Sequence, residues 1–161
     1  MIVLSAAGLL SAAGLLFAAG LLAPGGAHAQ SSPFAGRWHW NKAQSMLLPG
    51  EPAPADLIME IARADAAHVQ WSITVKDQGG ASSVESFDAP ANGESYPVGT
   101  DTAASFRLSG STLQATFTGP NAATDTLSCT LSSNGSKMTC DGQLRQEDGK
   151  TSRYVDVFDR S

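Results

Sequence analysis

The chain has 161 residues, enough for one domain, with 10 Lys and Arg against 15 Asp and Glu and a formal net charge of −5. The charges are spread out, with no basic patch and no interleaving of aromatic and basic residues, which excludes the usual electrostatic surface for nucleic acid. Such a mildly acidic balance serves solubility.

The first 23 residues carry no charged side chain. A hexamer repeats there, as SAAGLL at Ser5–Leu10 and Ser11–Leu16 and as FAAGLL at Phe17–Leu22. An apolar run of about 20 residues is long enough to span a bilayer. Pro24-Gly25-Gly26 then breaks a helix, and Ala27-His28-Ala29 offers small residues where a signal peptidase reads. Residues 1–29 are therefore expected to form a cleavable signal peptide, and 30–161 a single domain exported to the periplasm or beyond the cell. The run lacks the usual leading Lys or Arg, which leaves the start codon in question. An uncleaved anchor is the competing reading. No Cys stands directly after the run, which argues against a lipid anchor.

Beyond it, strand patterns follow one another. Leu57, Met59 and Ile61 alternate with other residues, and Val69-Gln70-Trp71-Ser72-Ile73-Thr74-Val75 alternates strictly. So do Ala104, Phe106 and Leu108, then Leu113–Phe117 and Leu127–Leu131. Period-two alternation marks half-buried strands. Turn signals separate them at Asp77–Gly80, Asn92-Gly93, Ser109-Gly110, Asn134-Gly135 and Asp148-Gly149. Ala62–Ala67 reads as a turn, and residues 42–55, with Pro49, Pro52 and Pro54, as a stiff extended loop. The expected fold is all-β: an antiparallel meander of eight to ten strands closing into a barrel, which removes exposed edges. A β-sandwich is the alternative.

Cys129 and Cys140 test the register. If Asn134-Gly135 is a two-residue turn, Leu131 faces Met138 and Cys129 faces Cys140, which predicts a disulfide in an exported chain. Such a turn makes the cysteines a hydrogen-bonded pair. If Asp148-Gly149 is also a two-residue turn, Cys140 faces Val157, Gly142 faces Val155 and Leu144 faces Arg153. One face then carries Leu127, Cys129, Leu131, Met138, Cys140, Leu144, Val155 and Val157.

The opening PFAGRWHWNKAQS, with Gly36 and Trp38 as a Gly-x-Trp, resembles the first strand of calycin-type barrels: lipocalins, fatty-acid-binding proteins and avidins. The order Phe34, Gly36, Trp38, Asn41, Ser45, Pro49 and Pro54, with SYPVGTDTAASFRL, SSNGSKMT and VFDR further on, is similar to exported bacterial lipocalin-like proteins of unassigned activity. The resemblance covers most of 34–160. It implies a barrel whose closed end is plugged by Trp38, with Gly36 giving room beneath it. It further implies an Arg of the last strand packed over that Trp, with Arg160 and Arg153 as candidates. The register above turns Arg160 outward.

The resemblance also implies a small, mostly apolar ligand inside the barrel, with Trp71, Phe106, Phe117 and Arg153 lining the cavity. An inward Arg153 would grip a carboxylate; a rim pair with Asp125 is the structural alternative. Fatty-acid-binding proteins end on an inward Arg-x-Tyr, whereas here Tyr154 adjoins Arg153 and is expected to point the other way. The rival function is a protein-interaction module, such as an exported protease inhibitor or envelope-associated factor, using Met46, Leu47 and Leu48 on the loop. No metal is expected, because His39 and His68 are isolated and His28 leaves with the signal. No cofactor motif and no catalytic constellation such as Gly-x-Ser-x-Gly is present, so no enzyme is expected.

Overall fold

The computed structural model of the protein describes residues 32–48, 50, 52–98 and 100–161. The expected signal segment, 1–29, lies outside the described residues. Ten strands follow in chain order: β1 (Gly36–Trp40), β2 (Asp56–Ala64), β3 (His68–Lys76), β4 (Ser82–Pro90), β5 (Tyr96–Val98), β6 (Thr102–Ser109), β7 (Thr112–Thr118), β8 (Thr124–Leu131), β9 (Lys137–Arg145) and β10 (Thr151–Arg160). They form one antiparallel sheet in the order β4-β3-β2-β1-β10-β9-β8-β7-β6-β5. Pairing of β1 with β10 turns this meander into a nearly closed barrel rather than a sandwich. Its remaining edges, β4 and β5, meet at a seam without a ladder, where the Phe87 and Tyr96 rings lie 6.5 Å apart.

The alternation in the sequence explains which face is buried. Val69 and Trp71 of β3, Leu113 and Ala115 of β7 and Met138 and Cys140 of β9 point inward into one core. β2 runs on to Ala64 through a bulge between Ile61 and Arg63, so the expected Ala62–Ala67 turn shrinks to the bend at Asp65. There the carboxylate of Asp65 accepts from the Ala67 and His68 amides.

The two hairpins that set the register behave differently. Cys129 pairs with Cys140 and Leu131 with Met138, as expected. The loop, however, holds four residues, closed where the Ser132 amide donates to the Lys137 carbonyl at 2.9 Å. Two and four are both even, so the facing survives. Counting the ladder from that closing pair makes the cysteines a non-hydrogen-bonded pair instead, with Cα atoms 3.9 Å apart and the disulfide formed.

The last hairpin overturns its expectation. Gln146 donates to Lys150, and Gly149, at φ +80°, donates to Gln146. This is a three-residue loop, a turn followed by a left-handed glycine. Tyr154 therefore pairs with Gly142 and Asp156 with Cys140, while Arg153 pairs with Gln143. An odd loop shifts the pairing by one residue and reverses every side chain of β10. Tyr154, Asp156, Phe158 and Arg160 lie on the inner side; Arg153, Val155 and Val157 lie on the outer side.

Candidate functional site

The barrel's closed end is built around Gly36, Trp38 and Arg160. Trp38 is fully buried, and its indole Nε1 donates to the Phe34 carbonyl at 2.8 Å. Pairing Trp38 with Arg160 sets the guanidinium carbon 4.1 Å from the ring centroid, a cation–π contact. Arg160 also donates to the carbonyls of Gly135, Ala35 and Pro33 at 2.8, 2.7 and 2.6 Å. It thus ties the entering chain to the β8–β9 hairpin. Gly36 has φ +143°, and a Cβ there would collide with Arg160 Nη1. The last-strand arginine over Trp38 is therefore Arg160, inward after all, because of the odd β9–β10 loop.

Above this plug lies a cavity of about 200 Å³. Its walls include Leu57 and Met59 of β2, Trp71 and Ile73 of β3, Phe106 of β6 and Phe117 of β7. The Trp71, Phe106 and Phe117 rings, singled out in the sequence, come together here. Trp71 sits 5.9 Å, centroid to centroid, from both phenylalanines. Phe87 of β4, missed in the sequence, completes the cluster at 4.5 Å from Phe106.

Arg153 does not join them. It is exposed on the outer face, in a shallow groove with Gln143, Asp141 and Thr126. This placement does not fit the alternative of an Arg153–Asp125 rim pair either. Asp125 instead faces the cavity and accepts from the Tyr154 hydroxyl at 2.7 Å. Tyr154 reaches it by lying across β9 at Gly142. A Cβ on Gly142 would fall inside the Tyr154 ring, so that contact requires glycine. Desolvation by burial, helped by the hydrogen bond to Asp125, holds the Tyr154 phenol well above its ordinary range.

Asp156, one inward position along, also lines the cavity. Its Oδ1 accepts from Trp40 Nε1 at 2.8 Å. Burial raises its carboxyl pKa, and the Trp40 hydrogen bond opposes the rise only in part. The polar side of the cavity is thus Asp125, Tyr154 and Asp156. A register with Arg153 inward had hidden the last two. The signal that reveals them is Asp148-Gly149 taken as the end of a three-residue turn, together with Gly142 standing where a ring must pass.

Residues 42–48 of the expected loop run beside β10. Met46 exchanges both backbone hydrogen bonds with Val155. Met46, Leu47 and Leu48 then line a hollow with Trp40, Tyr154 and Asp156. Met46 and Leu47 remain 52% and 39% exposed. His39 and His68 are on strands and each contacts a carboxylate, Asp56 and Asp88 respectively. No group of three metal-ligating side chains occurs among the described residues.

No family model matches the chain and no curated protein matches it in sequence. Solved structures do match in shape. The fluorescent protein UnaG superposes with a TM-score of 0.54 at 13% identity, over 80% of this chain and 97% of that one. A zebrafish ileal bile acid-binding protein complexed with cholic acid superposes with a TM-score of 0.51 at 14% identity, over 81% and 100%. At such identities the likeness is one of fold: the chain shares with them an antiparallel β-barrel built as a ten-stranded meander.

Proposed function

We propose that the protein binds a small, mostly apolar molecule inside its barrel and catalyses no reaction. The observation that carries this reading is the cavity of about 200 Å³ lined by Trp71, Phe106 and Phe117, with its carboxylates and its hydroxyl on the side of β8 and β10. Concave, mainly apolar sites with a few placed polar groups are the usual form of a small-molecule site. The calycin-type fold agrees, and one solved structure of similar shape holds cholic acid. On this reading residues 30–161 are the working domain. The Cys129–Cys140 disulfide supports an oxidising, exported location, and the 1–29 segment would be the signal that sends it there. The rival use of Met46 and Leu47 as a protein-docking patch rests on their exposure alone.

Octanol titrated calorimetrically into the disulfide-bonded protein tests the proposal. Saturable one-to-one binding is expected, and Ala115→Phe, which fills the cavity from β7, should abolish it. Absence of saturable binding, or binding that Ala115→Phe leaves intact, would overturn it.

A further inference from the structure

We propose that the ligand carries a protonated amine on its apolar body, held by Asp156 with Asp125, and a hydrogen-bond acceptor that meets Trp71. The inference rests on the cavity being a ligand site and names the class of molecule it takes.

The first argument is the sign of the cavity's charge. Its titratable lining groups are Asp125, Tyr154 and Asp156; among the described residues no Lys, Arg or His lines it. The two arginines of β10, whose charge would reverse this sign, are both placed elsewhere. Arg153 is outside, and Arg160 is engaged by three backbone carbonyls at the closed end. A carboxylate-bearing ligand would therefore bring a like charge into a site of low dielectric, where repulsion is strong. A cation instead supplies a countercharge to the part-buried Asp156 carboxylate, whose only partner among the described residues is the Trp40 indole. A carboxylate offers about four acceptor positions, and on Asp156 Trp40 takes one of them. Burial already disfavours the charged form of Asp156, so a bound cation would relieve a cost present in the empty protein.

The second argument is independent of the acids. Trp71 is 7% exposed and lines the cavity, and its Nε1 has no hydrogen-bond partner among the described residues. A buried donor without an acceptor is destabilising. Its position in the wall points to a ligand acceptor, on the side built by β3 rather than by β10. The edge-to-face rings of Phe106 and Phe117 around it favour an aromatic body between the two polar ends.

The test is a matched triplet sharing one hydroxyphenyl body: tyramine, tyrosol and phloretate, which end in an ammonium, an alcohol and a carboxylate. Calorimetry on the disulfide-bonded protein should show tyramine binding at least about tenfold tighter than either of the others. Asp156→Asn should remove that advantage, and Trp71→Phe should weaken all three alike. Phloretate binding as tightly as tyramine would overturn the inference. So would a tyramine advantage that survives in both Asp156→Asn and Asp125→Asn. The wild-type comparison needs no variant to fold. If octanol binds but the triplet shows no preference for the amine, only the inference falls; if octanol does not bind, the parent reading falls with it.

Discussion

Arg160 and the Tyr154–Asp156 pair share the inner side of one strand, yet their surroundings differ in kind. At the closed end Arg160 lies against Trp38 and spends its donors on the carbonyls of Gly135, Ala35 and Pro33. Each group there is matched by backbone that cannot leave, so the end is a fastening. Higher in the barrel, Tyr154 and Asp156 face a cavity whose other walls are apolar. Their partners, Asp125 and Trp40, are side chains, and the Trp71 donor across the cavity has none among the described residues. The contrast separates a polar group that holds the fold from one kept beside empty volume, where burial is a standing cost.

Variants at the two places should therefore fail differently. Trp38→Ala strikes the fastening and should be the most damaging. Loss of a fully buried indole is expected to cost about 3–5 kcal/mol in a denaturant titration, and a cost below 1 kcal/mol would show that the closed end is not what holds the barrel shut. Gly142→Ala strikes the polar side of the cavity. The new methyl must displace the Tyr154 ring from Asp125, so overpacking of about 1–3 kcal/mol is expected. Adding Tyr154→Leu to Gly142→Ala should recover part of it.

Asp156→Asn should act in the opposite direction. A carboxyl whose folded pKa is raised binds more protons when folded. Its contribution to stability is therefore greatest below the ordinary carboxylate value of about 3.9. That contribution is lost as pH rises through the unfolded and then the raised folded pKa. Asp156→Asn, which still accepts from Trp40, should raise Tm at neutral pH and leave it unchanged in acid. A lower Tm at neutral pH would show that the charged carboxylate is satisfied in the empty protein. The smallest effect belongs to Arg153→Ala, a surface truncation expected to shift stability by less than about 0.5 kcal/mol. It should also leave octanol binding untouched; lost binding would put Arg153 back at the site.

Much of the fold was legible in the residues. The strict alternation of Val69–Val75, Leu113–Phe117 and Leu127–Leu131 determines strands with one buried face, and their number and turn spacing determine a meander. Gly36 and Trp38 were readable as closure, Cys129 and Cys140 as partners, and Trp71, Phe106 and Phe117 as inward. Local pattern suffices for these because each depends on one strand or on an even-length hairpin. What only the tertiary structure decided is the orientation of β10. Its sequence, TSRYVDVFDR, carries Val155 and Val157 on one face and Tyr154 and Phe158 on the other, so hydrophobicity alone does not choose between them. The choice fell to one extra loop residue at 147–149 and to bulk. The Tyr154 ring fits over Gly142, Phe158 packs inside, and the Val157 main chain is held by the Asn41 amide and the Ser45 hydroxyl. A one-residue register shift costs nothing in local propensity but exchanges the whole inner face. The character of the cavity, acidic rather than basic, was therefore settled by packing between strands rather than by any short stretch of the chain.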